Sequence, residues 1–354
     1  MRTGKSCFKE RFVSKFAEIP MRNVGPIRIK GAVERDISVP LATLETPLWF
    51  SVGRGAKVSL HSGGITTTIL DSRMTRSIIL EAPDSSSALR AAQKIASSKE
   101  ELQKVVSESS HIAELLDINW QIAANLIYLR LEFFTGDASG HNMVTNSADK
   151  IFGYILDKHP ELSYCSISGN YCCDKKVSAV NGILGRGRSV IAEITIPRAV
   201  CEEYLHTTPE KIADINTKKN LLGSILAGSL RSANAHYANM LLAFYLATGQ
   251  DAANIVEGSQ GITFAEVRDD SLYLSCTLPN IIVGSVGNGK NTPYAQENLA
   301  LLGCIEKQAA GCNADRLAAI CAATVLCGEL SLLAAETNPG ELMKAHIRIE
   351  RGKK

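Results

Sequence analysis

Asp174, Lys175 and Lys176 place one acid directly before two adjacent cations, within the run SGNYCCDKK from Ser168 to Lys176. Gly169 and Asn170 upstream are residues of a tight polar turn. Neighbouring ammonium groups repel, so each releases its proton more easily unless a carboxylate or an anionic ligand compensates. Such a loop can hold an anionic substrate and keep one cation over a developing oxyanion. The same triplet is also what a solvated charged turn contains. The elements around it must decide between the two.

Those elements belong to a chain of 354 residues, enough for a large core and one to three domains. A hydrophobic share of 45% with 21% charged residues suits a soluble globular protein, and a net charge of +2 gives no nucleic-acid footprint. The ten cysteines form no CxxC pair and mostly sit in apolar runs, so buried free thiols in a reducing compartment are expected, with neither disulfides nor a metal. Residues 1–30 carry charges throughout and lack the apolar stretch of a signal peptide. The most apolar windows, Leu241–Thr248 and Leu317–Ala335, are too short or carry Glu329, so no membrane span is expected.

Residues 1–77 hold short strand-like pieces such as GPIRIKG and DISVPLATLE. From 78 to 166 the pattern shifts to helix, strand, helix, strand, a compact α+β insert. Ser85–Val106 reads as one helix capped by Ser86 or Ser87, with Leu89, Ala92 and Ile95 at helical spacing. Leu126–Phe133 alternates as a half-buried antiparallel strand, with Tyr128, Arg130 and Glu132 on its polar face. Asn142–Leu156 reads as a second helix. The remainder, 167–354, is dominated by two long helical patterns, Asn220–Ala247 and Asp315–Ala335. As one straight helix, Lys219 and Asn239 would lie roughly 30 Å apart. They could meet one ligand only if that helix breaks near Gly223–Gly228 or if subunits share sites.

Collinear motifs then carry a resemblance over nearly the whole chain. VPLATLE (Val39–Glu45), RMTR (Arg73–Arg76), GDASGHNM (Gly136–Met143), SGNYCCDKK, the segment Asn220–Met240, ATGQDAA (Ala247–Ala253) and LYLSCTLPNIIVGSVGNG (Leu272–Gly289) occur in one order. In sequence and order these resemble the hydroxymethylglutaryl-coenzyme A reductases. The Asp-Lys-Lys loop and the terminal KAHIRIER are more similar to the biosynthetic, class I-like branch. The family's second glycine loop reads GTVGGGT; here it reads GSVGNGK, with Asn288 and Lys290 in place of glycine and threonine.

The resemblance implies an α+β fold: a large mixed helical domain (1–77 and 167–354) around a long central helix, with an inserted ferredoxin-like dinucleotide-binding domain (78–166) and a C-terminal flap (340–354). It implies two-step reduction of HMG-CoA to mevalonate and coenzyme A with NADPH, NADH being open, by a cytoplasmic homodimer with interfacial active sites. Lys175 would polarise the carbonyl and Glu45 would be the acid, its pKa raised by burial beside Asp251. Asp251 would join Glu45 and Lys175, and His346 would protonate the leaving thiolate. Arg76, Ser168, Asp174, Lys176, Lys219, Asn239 and His236 match the positions that bind substrate or coenzyme A. Asp137, Ala138, Gly140 and Asn142, with Gly284, Val286, Gly287 and Gly289, match the two cofactor loops. Alternative readings are an oxidative, NADH-using homologue and a specialised or non-catalytic acyl-CoA-binding relative.

Overall fold

The computed structural model describes residues 17–347; the charged amino terminus and the last seven residues of the expected flap lie outside them. A branched ten-stranded sheet organises the chain around one very long strand. β1 (Met21–Gly31) and β2 (Arg35–Ala42) form an antiparallel pair, and β1 runs parallel to β3 (Ile65–Glu81). Between β2 and β3 lies α1 (Pro47–His61), which starts with proline, a residue suited to a first helical turn.

β3 changes partners along its length. Thr66–Arg73 pairs antiparallel with β7 (Gly187–Pro197), whereas Met74–Glu81 pairs with β5 (Leu126–Phe134). β4 (Glu114–Ala123) and β6 (Ser163–Ser166) complete the second branch, against β5 and β3 respectively. The first branch continues through β10 (Ser271–Ile281), β9 (Gly261–Arg268) and the short β8 (Ser232–Ala233). Two hydrophobic cores follow this division. The larger collects Ile27, Leu41, Val190, Leu274 and the helix Cys312–Glu336. The smaller collects Met74, Ile78, Leu129, Phe133 and Phe152. The expected boundary at 77/78 therefore falls inside a single continuous strand.

Three local expectations change, and one helix stands as expected. Ser85–Val106 is two helices, α2 (Ser85–Ser97) and α3 (Lys99–Ser107), broken at Ser98, and the cap is Asp84, whose carboxylate accepts from the Ser87 N–H. The polar face of β5 is buried: Arg130 and Glu132 are both fully enclosed, joined at 2.8 Å, and Arg130 also donates to Asn181 and to the Gly185 carbonyl. Internal pairing is what lets a strand with this alternation be covered on both sides. The helix expected near 142–156 is α4, His141–Lys158.

The third change concerns the long helix expected over Asn220–Ala247, which does not exist as one piece. A π-helical stretch Asn216–Gly223 and a turn Ser224–Leu226 stop before Gly228, whose φ is +68°. A helix restarts only at Tyr237 and runs to Ala247. Glycine takes the left-handed conformation readily and so ends the first piece. The second pattern is a helix, Cys312–Glu336, buried on almost every side. By length and apolarity it could cross a membrane, but 94% of its apolar window is buried inside the protein, where it forms the centre of the larger core.

Candidate active site

The loop from β6 to α5 (Ala179–Leu184) carries the Asp-Lys-Lys triplet. Asn170, Cys173 and Lys175 all have left-handed backbones, with φ of +55°, +44° and +54°. Non-glycine residues adopt this region only when surroundings impose it. Here Asn181 Nδ2 donates to the Cys173 carbonyl (3.0 Å), and the Lys175 N–H donates to Glu257 Oε1 (3.0 Å). Arg186, almost fully buried, spans Asp174 (2.8 Å) and the enclosed carboxylate of Glu257 (2.7 Å). Burial pushes the Glu257 carboxyl above the usual range, opposed by Arg186 and by the hydrogen bonds it accepts. Arg186 and Glu257 were not among the expected site residues. Both lie close in sequence to residues that were: Arg186 ten residues after Lys176, and Glu257 six residues after Asp251.

The Lys175 ammonium reaches Asp251 Oδ2 at 2.7 Å. This bond raises the amine's pKa, and it holds the Asp251 carboxyl low despite partial desolvation. Repulsion between Lys175 and Lys176 is thus met by a carboxylate, as the composition of the loop required. His141, the first residue of α4, puts Nε2 3.7 Å from Asp174 Oδ1. That nitrogen is buried and has no hydrogen-bond partner among the described residues. Burial first, then Arg186, lowers its pKa to about 4. In the unfolded chain histidine titrates near ~6.5. The unfolded state therefore binds the extra proton first as the pH falls, so stability is intact above pH ~6.5 and is lost toward pH 4, by up to ~3 kcal/mol. Chemical denaturation across this range should show that loss, and His141→Gln should flatten it.

These groups line a cavity of about 710 Å³ with Arg76, Ala138, Gly140, Asn142, Val286, Gly287 and Gly289. The two glycine loops meet backbone to backbone: Ala138 bridges Val286, and the Ser285 N–H donates to the Asp137 carbonyl. Gly284 lies at this contact, where a Cβ would stand 2.4 Å from the Ser139 nitrogen. Asp137 points away from the cavity and accepts from the Ala314 N–H at 2.9 Å, fastening the loop to the buried helix. Gly140 (φ +90°) caps α4 without a side-chain bond, which leaves that helix's first N–H groups for a ligand. Gly287 has open space above it. A cavity of this size, walled by glycine and facing a helix N-terminus, fits a dinucleotide with its diphosphate. Among the described residues no cluster of three or more His, Cys, Asp or Glu side chains is arranged to hold a metal ion.

The remaining expected residues fall elsewhere. Glu45, Lys219, His236 and Asn239 line a second cavity of about 500 Å³, with Arg54, Glu336 and Glu341. The break at Gly228 is what brings Lys219 and Asn239 together. Lys219 pairs with Glu336 at 2.6 Å. Asn239 and His236 bond each other at 3.3 Å, while the enclosed Glu329 carboxylate accepts from the Ala235 and His236 N–H groups. Glu45 is exposed, in a turn where its N–H donates to Thr43 Oγ1 and Pro47 starts α1. The expected burial beside Asp251 is therefore absent within one chain. Ser168 and Lys176 are exposed and outside both cavities, Lys176 donating to the Asp174 carbonyl. His346 ends the helix Glu341–His346, whose Glu341 and Leu342 reach the second cavity; its side chain lies outside the described residues.

The family model for hydroxymethylglutaryl-coenzyme A reductase matches residues 5–351. The chain is 45% identical over 322 residues to the 3-hydroxy-3-methylglutaryl-coenzyme A reductase of Pyrococcus abyssi, covering 90% of this chain and 79% of that protein. It is 46% identical over 338 residues to the Aeropyrum pernix reductase, covering 95% and 80%. A class II reductase of Streptococcus pneumoniae, described as bound to NADPH in open conformations, shares the fold with a TM-score of 0.73 at 21% identity, over 93% of this chain and 87% of that one. With a family match across nearly its whole length, this chain belongs to the hydroxymethylglutaryl-coenzyme A reductases.

Proposed function

We propose that this chain reduces HMG-CoA to mevalonate and coenzyme A with NADPH, as a cytoplasmic biosynthetic enzyme whose active sites form between two copies. The observation that carries the shared site is the division of its chemistry between two cavities: Arg76, Asp174, Lys175 and Asp251 line one, and Glu45, Lys219, His236 and Asn239 the other. The smaller α+β unit, about 78–166, is the dinucleotide-binding part.

Each bound cofactor would supply one hydride, so two cofactor molecules in succession would serve the two reduction steps. Asp137 and Gly284 hold the two loops together, Gly140 and Asn142 offer the start of α4, and Val286, Gly287 and Gly289 form the opposite wall. Arg76, whose Nε donates to the Ile167 carbonyl, leaves its remaining donors for the substrate carboxylate. Lys175 holds positive charge where the thioester oxygen, and later the aldehyde oxygen, becomes negative. Asp251 fixes the direction of that ammonium. Glu45 from the other copy donates the proton to the alkoxide. His346, carried by the terminal helix, protonates the departing coenzyme A thiolate, so that two hydrides and two protons convert the thioester to an alcohol and a free thiol.

Mixing two disabled variants tests the shared site. Glu45→Gln and Lys175→Ala should each be nearly inactive. Co-refolded in equal amounts they should regain roughly a quarter of wild-type activity, because half of the dimers pair unlike chains and each such dimer keeps one intact site. Activity no higher than the separate variants would place the whole site in one chain.

A further inference from the structure

Lys290 is the one departure in the second glycine loop that puts a charge into the cavity. Its backbone is tied on both sides: its N–H donates to the Gly287 carbonyl at 3.2 Å, and its own carbonyl accepts from Gln296 Nε2 at 2.6 Å. Gly289 packs directly on Gly249, where a Cβ on either would stand 2.4 Å from the other's carbonyl oxygen. The turn therefore lies backbone against backbone on the Gly249–Asp251 segment, with no room for a side chain at either glycine. The Lys290 side chain is only 3% exposed and lines the cavity.

The other cations around this cavity have a place in the scheme. Lys175 is paired with Asp251, Arg186 with Asp174 and Glu257, and Arg76 is left for the substrate carboxylate. Among the described residues no carboxylate lies within 4.0 Å of the Lys290 ammonium and no hydrogen bond is made from it; Asp251 acts on it only at longer range. Enclosure lowers the amine's pKa, which an anionic partner would reverse. Its ammonium reaches the cavity rather than a protein partner, and there an anionic ligand would complete it. The wall it stands in is bridged to the loop that opens α4, the helix terminus suited to a phosphate.

We infer that Lys290 is a cofactor-affinity residue that binds the diphosphate of the nicotinamide dinucleotide, opposite the start of α4. This rests on the reductase reading above. A diphosphate is common to NADH and NADPH, so Lys290 strengthens both and does not select between them. Coenzyme A also carries a diphosphate, but its expected contacts, His236 above all, lie in the other cavity.

The test is direct titration of the purified protein with NADPH, NADH, ADP and coenzyme A, alongside steady-state kinetics. A charge-assisted contact of this kind corresponds to roughly ten- to a hundredfold in affinity. Lys290→Met should weaken NADPH, NADH and ADP by that factor and leave coenzyme A unchanged. In turnover the loss should fall on the cofactor KM rather than kcat. Lys290→Arg should recover most of the affinity, which excludes a folding defect. A loss confined to NADPH, a loss confined to coenzyme A, or a fall in kcat at unchanged cofactor affinity would each overturn the inference. If the wild-type protein bound these nucleotides but turned over no HMG-CoA, the reductase reading would fail while the binding comparison still judged Lys290.

Discussion

Lys175→Ala should lower kcat by at least about a thousandfold, the scale seen when a preorganised donor to a developing oxyanion is removed. Substrate affinity should change far less, because Arg76 and the α4 terminus are untouched. Folding should also be preserved. Lys175 holds its loop through its backbone N–H to Glu257, which alanine retains, and both residues meet the same left-handed φ of +54°. A circular dichroism spectrum and melting temperature close to wild type, with turnover lost, is the expected pair of results. Full turnover would end the mechanism given above. The pH profile adds a second check. Bonding to Asp251 raises the Lys175 pKa above its ordinary value, so the amine stays charged across neutrality. Activity should show no loss between pH 7 and 9 from deprotonation of this group, and Asp251→Asn should move its alkaline loss down toward the ordinary lysine range.

Arg186→Met should be the most damaging single change to stability around the site, at about 3–5 kcal/mol. It removes the one cation that spans Asp174 and Glu257, and it leaves the fully enclosed Glu257 carboxylate with neutral partners only. Breaking one side of such a pair strands the other charge. Replacing both sides is much milder. Arg186→Met with Glu257→Gln should accordingly be more stable than Arg186→Met alone, measured by urea unfolding of each variant. If the double variant were the weaker by the sum of two independent losses, the network would not be acting as a unit. The single variant should also lose activity, because Glu257 receives the Lys175 N–H and sets the backbone from which the ammonium extends.

Much of this site was legible in the residues. The SGNYCCDKK run, GQDAA and the two glycine loops do converge on one cavity, and the spacing of Lys219 and Asn239 already called for either a break near Gly223–Gly228 or a site shared between subunits. What could not be read was which polar groups are buried against each other. Arg130 and Glu132 alternate as a solvent-facing strand would, yet they are enclosed because a second layer supplies their partners. That information lies in residues 50 or more positions away, Asn181 and Gly185 for Arg130. Glu257 and Arg186 were missed for the same reason, since a lone acid or base in sequence says nothing about a partner 71 positions distant. Capping was misassigned by two or three residues because Asp84, Ser86 and Ser87 are all competent caps and only backbone angle separates them. The exposed Glu45 is a different case. Its surroundings in one chain are incomplete if the site is shared.

β3 has a further consequence. It serves the larger core with its first half and the smaller core with its second, and Met74 to Arg76 stand where one half gives way to the other. The arginine assigned to the substrate carboxylate is therefore set in a beam common to both parts, with no joint between them at that point. Opening and closing around ligands must come from the loops and the terminal helix, not from a swing about this strand. By the same token the smaller part has no clean point of excision: a fragment cut at 78 would lose the Met74–Ser77 pairing with β5 and could not keep its own edge. In calorimetry the two parts should melt together, as a single transition.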